Sequence, residues 1–249
     1  MWMLLHGFTG SPESWSRVAD HAELDQTPLT PALAGHGRDW QESGVQSFES
    51  EVTRLSSLAL QAERPRLLCG YSMGARVALG LLARQSHLFD AAVLIGVHPG
   101  LAEQSARTER REVDAGRARL LREQGVAAFI AAWEEQPLFA SQRELPPEVV
   151  AHQRDIRLGH DAEGLARALE ALGLAEMPDY RPAMPSLQMP VTLVTGAGDT
   201  KFSEVASALA KGRPRVDAML VDGVGHNVVL EAPAAVAAVL KAVEGRARG

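Results

Sequence analysis

The sequence predicts an α/β fold, a mostly parallel sheet with helices on both faces and one helical insertion. Three observations predict it. Short apolar runs recur along the 249 residues, each stopped by Gly, Pro or polar residues, as expected of strands buried on both faces. Stretches with apolar residues at helical spacing alternate with these runs, which is the pattern of βα units around a parallel sheet. From about His98 to Arg181 the alternation stops, and the chain becomes rich in Arg, Glu and Ala with helical spacing only.

The first run is Trp2-Met3-Leu4-Leu5, stopped by His6-Gly7, so the chain is expected to begin inside its sheet. Phe48, Val52, Leu55 and Ala59 mark a helix, Pro65 breaks the pattern, and Arg66-Leu67-Leu68-Cys69 is the second strand. A helix over Ala75 to Ala83 leads to a third strand, Ala91 to Gly96. Within the insertion Val126, Phe129, Ile130 and Trp133 recur at helical spacing. After Pro190 the strand pattern returns as Val191 to Thr195, followed by a helix around Ser203 to Ala210 and a strand over Ala218 to Val221. A last helix follows Pro233 with Val236, Val239, Leu240 and Val243 on one side, and Gly245 to Gly249 are expected to fray. The length suits one domain, with residues 1–97 and 185–249 as its core and 98–184 as a helical lid.

Hydrophobic residues make up 46% and charged residues 22%, values ordinary for a soluble globular protein. The net charge of -6 argues against nucleic-acid binding, which needs a basic face, so an anionic ligand must be held by local cations. The single cysteine, Cys69, leaves no internal disulfide and reads most simply as a buried small hydrophobe. No secretory signal pattern opens the chain and no apolar run reaches about 18 residues, so no membrane association and a cytoplasmic location are expected.

The strongest chemical signal is Gly70-Tyr71-Ser72-Met73-Gly74, a G-x-S-x-G between a predicted strand and a predicted helix. Such a turn exposes the serine hydroxyl, and the helix N-terminus places the Met73 N–H where it can stabilise a developing oxyanion. Asp199 follows the fourth strand in Gly196-Ala197-Gly198-Asp199, and His226 follows the fifth in Gly223-Val224-Gly225-His226. Taken singly, Asp199 reads as a helix cap, His226 as a loop histidine and His6 as a packing residue. As an ordered set at strand C-terminal ends, where open α/β sheets bind ligands, Ser72, Asp199 and His226 read as a catalytic triad. His6-Gly7-Phe8-Thr9-Gly10 after the first strand offers the Phe8 N–H as the second oxyanion donor.

These residues resemble the α/β-hydrolase superfamily over the whole chain. A narrower resemblance rests on Leu5 to Ser11, Gly70 to Arg76, Trp133 with Gln136-Pro137-Leu138-Phe139, Gly198 to Phe202 and Gly225-His226-Asn227. Together they look like the 2-succinyl-6-hydroxy-2,4-cyclohexadiene-1-carboxylate synthases of menaquinone biosynthesis. That resemblance implies elimination of pyruvate from a cyclohexene precursor, with no metal or organic cofactor. Ala75 departs from it, since a second glycine usually follows the elbow there.

Arg76 lies four residues after Ser72, on roughly the same side of the elbow helix, and a guanidinium there can grip a carboxylate bidentately. The resemblance further implies Arg110 and Arg154 as substrate-binding arginines, with Gln104, Tyr71, Trp133 and Lys201 as pocket residues. For the arginines of the insertion, including Arg107 and Arg111, a solvated face is the competing reading. For Trp133 it is a place in the stripe with Val126 and Ile130. The expected partner is a small anionic substrate with several carboxylates, bound by a monomer or small homo-oligomer. A carboxylesterase or a carbon–carbon bond hydrolase would use the same triad, and a non-catalytic binding module could share the scaffold. Ser72 at the elbow disfavours a haloalkane dehalogenase, whose chemistry needs a carboxylate there.

Overall fold

The computed structural model describes residues 1–24 and 26–248. Five parallel strands, β1 (Trp2–Leu5), β2 (Leu67–Tyr71), β3 (Ala91–Ile95), β4 (Val191–Gly196) and β5 (Val216–Val221), pair in chain order, so each new strand adds beside the last. Leu29 adds a parallel bridge to Met3, extending the sheet beyond β1, which the apolar runs do not announce. The helices are α1 (Ser16–Ala22), α2 (Phe48–Leu60), α3 (Met73–Gln85), α4 (Gln104–Glu134), α5 (Pro147–Leu158), α6 (Ala162–Leu172), α7 (Thr200–Ala210), α8 (Val228–Glu231) and α9 (Pro233–Arg248).

Because side chains alternate along a strand, each run feeds two cores. Met3, Leu5, Leu68, Ala92, Leu94 and Leu193 pack with Val52 and Leu55 of α2, Val77 and Leu81 of α3 and Leu209 of α7. Trp2, Leu4, Leu67, Cys69, Val93 and Ile95 pack with Val18 of α1 and Val236, Leu240 and Val243 of α9. Cys69 is fully buried, and burial pushes its thiol pKa up. In contrast to the first four strands, β5 is buried only at its two ends, because it closes the sheet. Helix α9 continues to Arg248, with Arg248 on Glu244 at 3.1 Å, so the fraying expected at Gly245 does not occur; Gly249 lies outside the described residues.

Helices α4, α5 and α6 lie between β3 and β4, and α4 and α6 share a core of Leu121, Phe129, Ile130, Leu165 and Leu169. Helix α4 is interrupted at Gly125, whose φ of 77° and ψ of 176° fall in a region that essentially only glycine enters. Among the described residues no helix is long and apolar enough to cross a membrane.

Candidate active site

Three chain segments at the C-terminal ends of β2, β4 and β5 meet in one cleft. Ser72 sits between β2 and α3 with φ 51°, a conformation rare for a residue with a side chain. The turn holds because its neighbours are glycines. A Cβ on Gly70 would lie 2.4 Å from Gly74 O, and one on Gly74 would lie 2.2 Å from Leu5 O, so the elbow packs directly on the first strand. At the neighbouring position Ala75 is accommodated, fully buried in the core.

His226 Nε2 stands 3.0 Å from Ser72 Oγ, and His226 Nδ1 stands 2.6 Å from Asp199 Oδ2. The carboxylate accepts from Nδ1–H, which leaves Nε2 free to accept the serine proton. Asp199 also caps α7, since its Oδ1 accepts from Phe202 N at 3.3 Å, so one oxygen serves the helix while the other meets His226. Glu231 secures the histidine loop, with Gly225 N and Asn227 N donating to its two carboxylate oxygens at 2.7 and 3.2 Å. Sequence reasoning missed Glu231, although a carboxylate five residues past the histidine was its available signal.

Phe8 lies in the loop after β1 and lines the cleft with Ser72, Met73 and His226. Its N–H has no hydrogen-bond partner among the described residues, and Met73, as the first residue of α3, has no carbonyl four residues back inside the helix. The Tyr71 ring packs 5.5 Å from His226, and burial raises its phenol pKa.

The cleft walls are cationic. Arg76 is buried, its Nη1 donates to Leu172 O at 2.8 Å, and no carboxylate pairs with it among the described residues. Burial pushes its guanidinium down to about 9, with nearby Arg110 adding to the effect and Asp114 opposing it. Arg110 and Arg117 share the carboxylate of Asp114 at 2.7 and 3.1 Å. Arg117 also reaches Gln136 Oε1 at 3.0 Å and lies 5.0 Å over the Trp133 ring. His98 faces the same space, held near pKa 4 by burial and by the cations Arg76, Lys201, Arg181 and Arg110.

Not every expected pocket residue reaches this cleft. Arg154 pairs with Glu134 on the outside of α5, with its side chain 44% exposed. Arg157, one turn further along the helix, lines the cleft instead, 5% exposed and held by Glu134 Oε1 at 3.0 Å. The two guanidiniums are neighbours one turn apart and share Glu134, but successive turns differ by about 60° in phase, enough to tuck Arg157 into the cleft and leave Arg154 at its rim. Gln104 is exposed at the start of α4, and Lys201 is exposed at the start of α7, where its charge acts on His98. Arg107 donates to Leu101 O and Met177 O, and Arg111 pairs with Glu176, so both serve the insertion's own structure. Trp133 satisfies both of its readings, lining the cleft while stacking on Phe129 at 5.7 Å. Arg117, Arg157 and His98 are cleft residues that the sequence reading did not name.

Residues 3–239 match the model of the Alpha/beta hydrolase family. The 2-succinyl-6-hydroxy-2,4-cyclohexadiene-1-carboxylate synthase of Klebsiella pneumoniae (strain 342) is 34% identical over 245 residues, 96% of this chain and 92% of that protein. The enzyme of the same name from Enterobacter sp. (strain 638) is 32% identical over 243 residues, 96% of this chain and 90% of its own. Among solved structures, MenH from S. aureus superposes with a TM-score of 0.91 at 28% identity, covering 100% of this chain and 94% of that one. With likeness along nearly its whole length, and Ser72, His226 and Asp199 hydrogen-bonded in a row at three strand ends, the chain belongs to the alpha/beta hydrolase family and, within it, to the 2-succinyl-6-hydroxy-2,4-cyclohexadiene-1-carboxylate synthases.

Proposed function

We propose that this chain is a lyase that eliminates pyruvate from 2-succinyl-5-enolpyruvyl-6-hydroxy-3-cyclohexene-1-carboxylate, in menaquinone biosynthesis, with the Ser72–His226–Asp199 triad as its base. The observation that carries the substrate class is the buried Arg76, a guanidinium beside the nucleophile whose one hydrogen-bond partner among the described residues is a carbonyl. A buried charge without a counter-ion is costly, and a substrate carboxylate removes that cost. The proposed substrate has three carboxylates, and Arg76, Arg110, Arg117 and Arg157 face one cleft. A neutral ester has no use for such a wall.

The chemistry follows from the substrate's bonds. The proton on ring carbon 2 lies between the succinyl carbonyl and the ring double bond, so its removal sends charge onto the carbonyl oxygen. His226 takes the Ser72 proton, Ser72 oxygen takes the ring proton, and the Phe8 and Met73 N–H groups hold the oxyanion. When the carbonyl reforms, electrons move into the 2,4-diene and the carbon–oxygen bond at carbon 5 breaks. The leaving enolate takes a proton and becomes pyruvate. No water is consumed and no acyl-enzyme forms. The enzyme is read as cytoplasmic and as a monomer or small homo-oligomer, with the single buried thiol in keeping with a reducing compartment.

Pyruvate release from this substrate, measured beside a panel of simple esters, tests the proposal. Deuterium at carbon 2 is expected to lower kcat/KM, with no solvent oxygen entering the diene product. A Ser72 acyl adduct on the reaction path, or esters turned over in place of the precursor, would assign the chain to the hydrolases. Arg76→Ala and Arg157→Ala are each expected to lower kcat/KM by roughly 10- to 150-fold, the cost of one charged hydrogen-bonded contact of about 1.5–3 kcal/mol. Arg154→Ala is expected to stay near wild type. The reverse order for Arg154 and Arg157 would move the carboxylate site to the outer face of α5.

A further inference from the structure

Three histidines outside the triad converge on the loop that carries Phe8. His6 Nδ1 lies 2.8 Å from Gly7 O, and Leu33 N donates to its Nε2 at 3.0 Å. Thr9 N donates to His36 Nε2 at 3.3 Å, and His36 Nδ1 lies 3.1 Å from Ala34 O. Gly37 N donates to His160 Nδ1 at 2.9 Å, and His160 Nε2 lies 3.1 Å from Thr9 O. In each ring one nitrogen accepts from a backbone N–H, so the other must carry the proton and donate to a carbonyl. All three rings are therefore neutral, and burial lowers the pKa of each, His6 to about 4. The rings also touch edge to face, His36 lying 4.8 Å from His6 and 5.4 Å from His160.

The backbone they hold is strained. Thr9 has φ 63°, in a region unfavourable for a β-branched residue, and both its N–H and its C=O end on an imidazole. Gly7 O, which shares a peptide plane with the Phe8 N–H, is held by His6 and by Gly10 N at 3.0 Å. The direction of the Phe8 N–H is thus bounded on both sides. Two of the three histidines come from the core, whereas His160 lies in the turn between α5 and α6, part of the helical insertion.

We propose that His160 is a positioning residue through which the insertion holds the oxyanion loop, its Nε2–H fixing Thr9 and thereby the Phe8 N–H. The proposal rests on the oxyanion role assigned above to Phe8. It makes part of the transition-state stabilisation dependent on the insertion being seated, because the only side chain that reaches Thr9 O among the described residues comes from there. Phe8 itself is clamped the same way, its ring edge-on to Phe129 and Trp133 of α4 on one side and to His36 on the other.

Two substitutions test this. His160→Phe keeps a ring against His36 and removes both hydrogen bonds, and it is expected to lower kcat about tenfold with KM within about twofold. That split follows because the oxyanion exists only in the transition state. His160→Gln places an amide donor near the position of Nε2 and gives up the bond from Gly37, and it is expected to keep kcat within about threefold of wild type. Both are measured by pyruvate release and by hydrolysis of p-nitrophenyl acetate, since an oxyanion arises in each. A kcat in His160→Phe within twofold of wild type, a change confined to KM, or a His160→Gln as impaired as His160→Phe would overturn the proposal. If His160→Phe does not fold, His160→Leu, which also removes both hydrogen bonds, takes its place under the same criteria. Absence of pyruvate release in the wild type would instead overturn the proposed function, and the comparison would then be read on the ester.

Discussion

Ser72→Ala and His226→Ala are each expected to lower pyruvate release by on the order of 10⁴-fold while melting and circular dichroism stay close to wild type. Removing Ser72 Oγ deletes one 3.0 Å hydrogen bond but leaves Cβ, so the elbow keeps its close approach to Leu5 and its place at the start of α3. The double variant should be little worse than either single one, because a base without its relay and a relay without its base fail alike. Steady-state pyruvate release at saturating substrate checks this. Near-normal turnover in either variant would remove the triad from the reaction.

Asp199→Asn is expected to lower kcat by roughly 10³- to 10⁴-fold, with almost no loss of stability. The two halves of this expectation come from two oxygens of one side chain. Oδ2 lies 2.6 Å from His226 Nδ1, and an amide nitrogen placed there would donate to Nδ1 and shift the proton to Nε2, where it blocks the serine. Oδ1 caps α7 through Phe202 N, a role in which asparagine serves as well as aspartate. Kinetics paired with thermal melting separate the roles. A large fall in melting temperature would make the cap the dominant role, and unimpaired kcat would free His226 from its tautomer.

The parts of the site legible in the sequence are those tied to strand ends. Ser72, Asp199 and His226 each follow a short apolar run closely, and the backbone of a buried strand leaves little freedom for where the next residue goes. The arginines were harder because they stand on helices, where a phase difference of about 60° between neighbours on one face decides which of them reaches the cleft. Arg154 and Arg157 are three residues apart on α5, yet one is 44% exposed and the other 5%. Phase can be read from apolar neighbours, but α5 has few, with Ile156 the one buried hydrophobic residue in it. The segment between Ser11 and Phe48 was illegible for a different reason. Its short α1 follows a single turn capped by Ser11 with Pro12 at its start, and Trp15, Val18 and Ala22 form its buried side, a signal too brief to stand against loop composition. The edge bridge at Leu29 involves too few residues to leave any period.

Gly125 links two kinds of wall that line the cleft, one charged and one aromatic. Arg117 and Trp133 are sixteen residues apart, about 24 Å along a straight helix, yet the guanidinium lies 5.0 Å from the ring centre. The chain therefore doubles back between them, at the residue whose φ of 77° and ψ of 176° no side chain tolerates well. The charged arm and the aromatic arm are in this sense one folded ruler, and the angle at its joint sets how the two press together on one side of the cleft. A substitution at the joint is therefore expected to reshape the cleft without altering any residue that lines it.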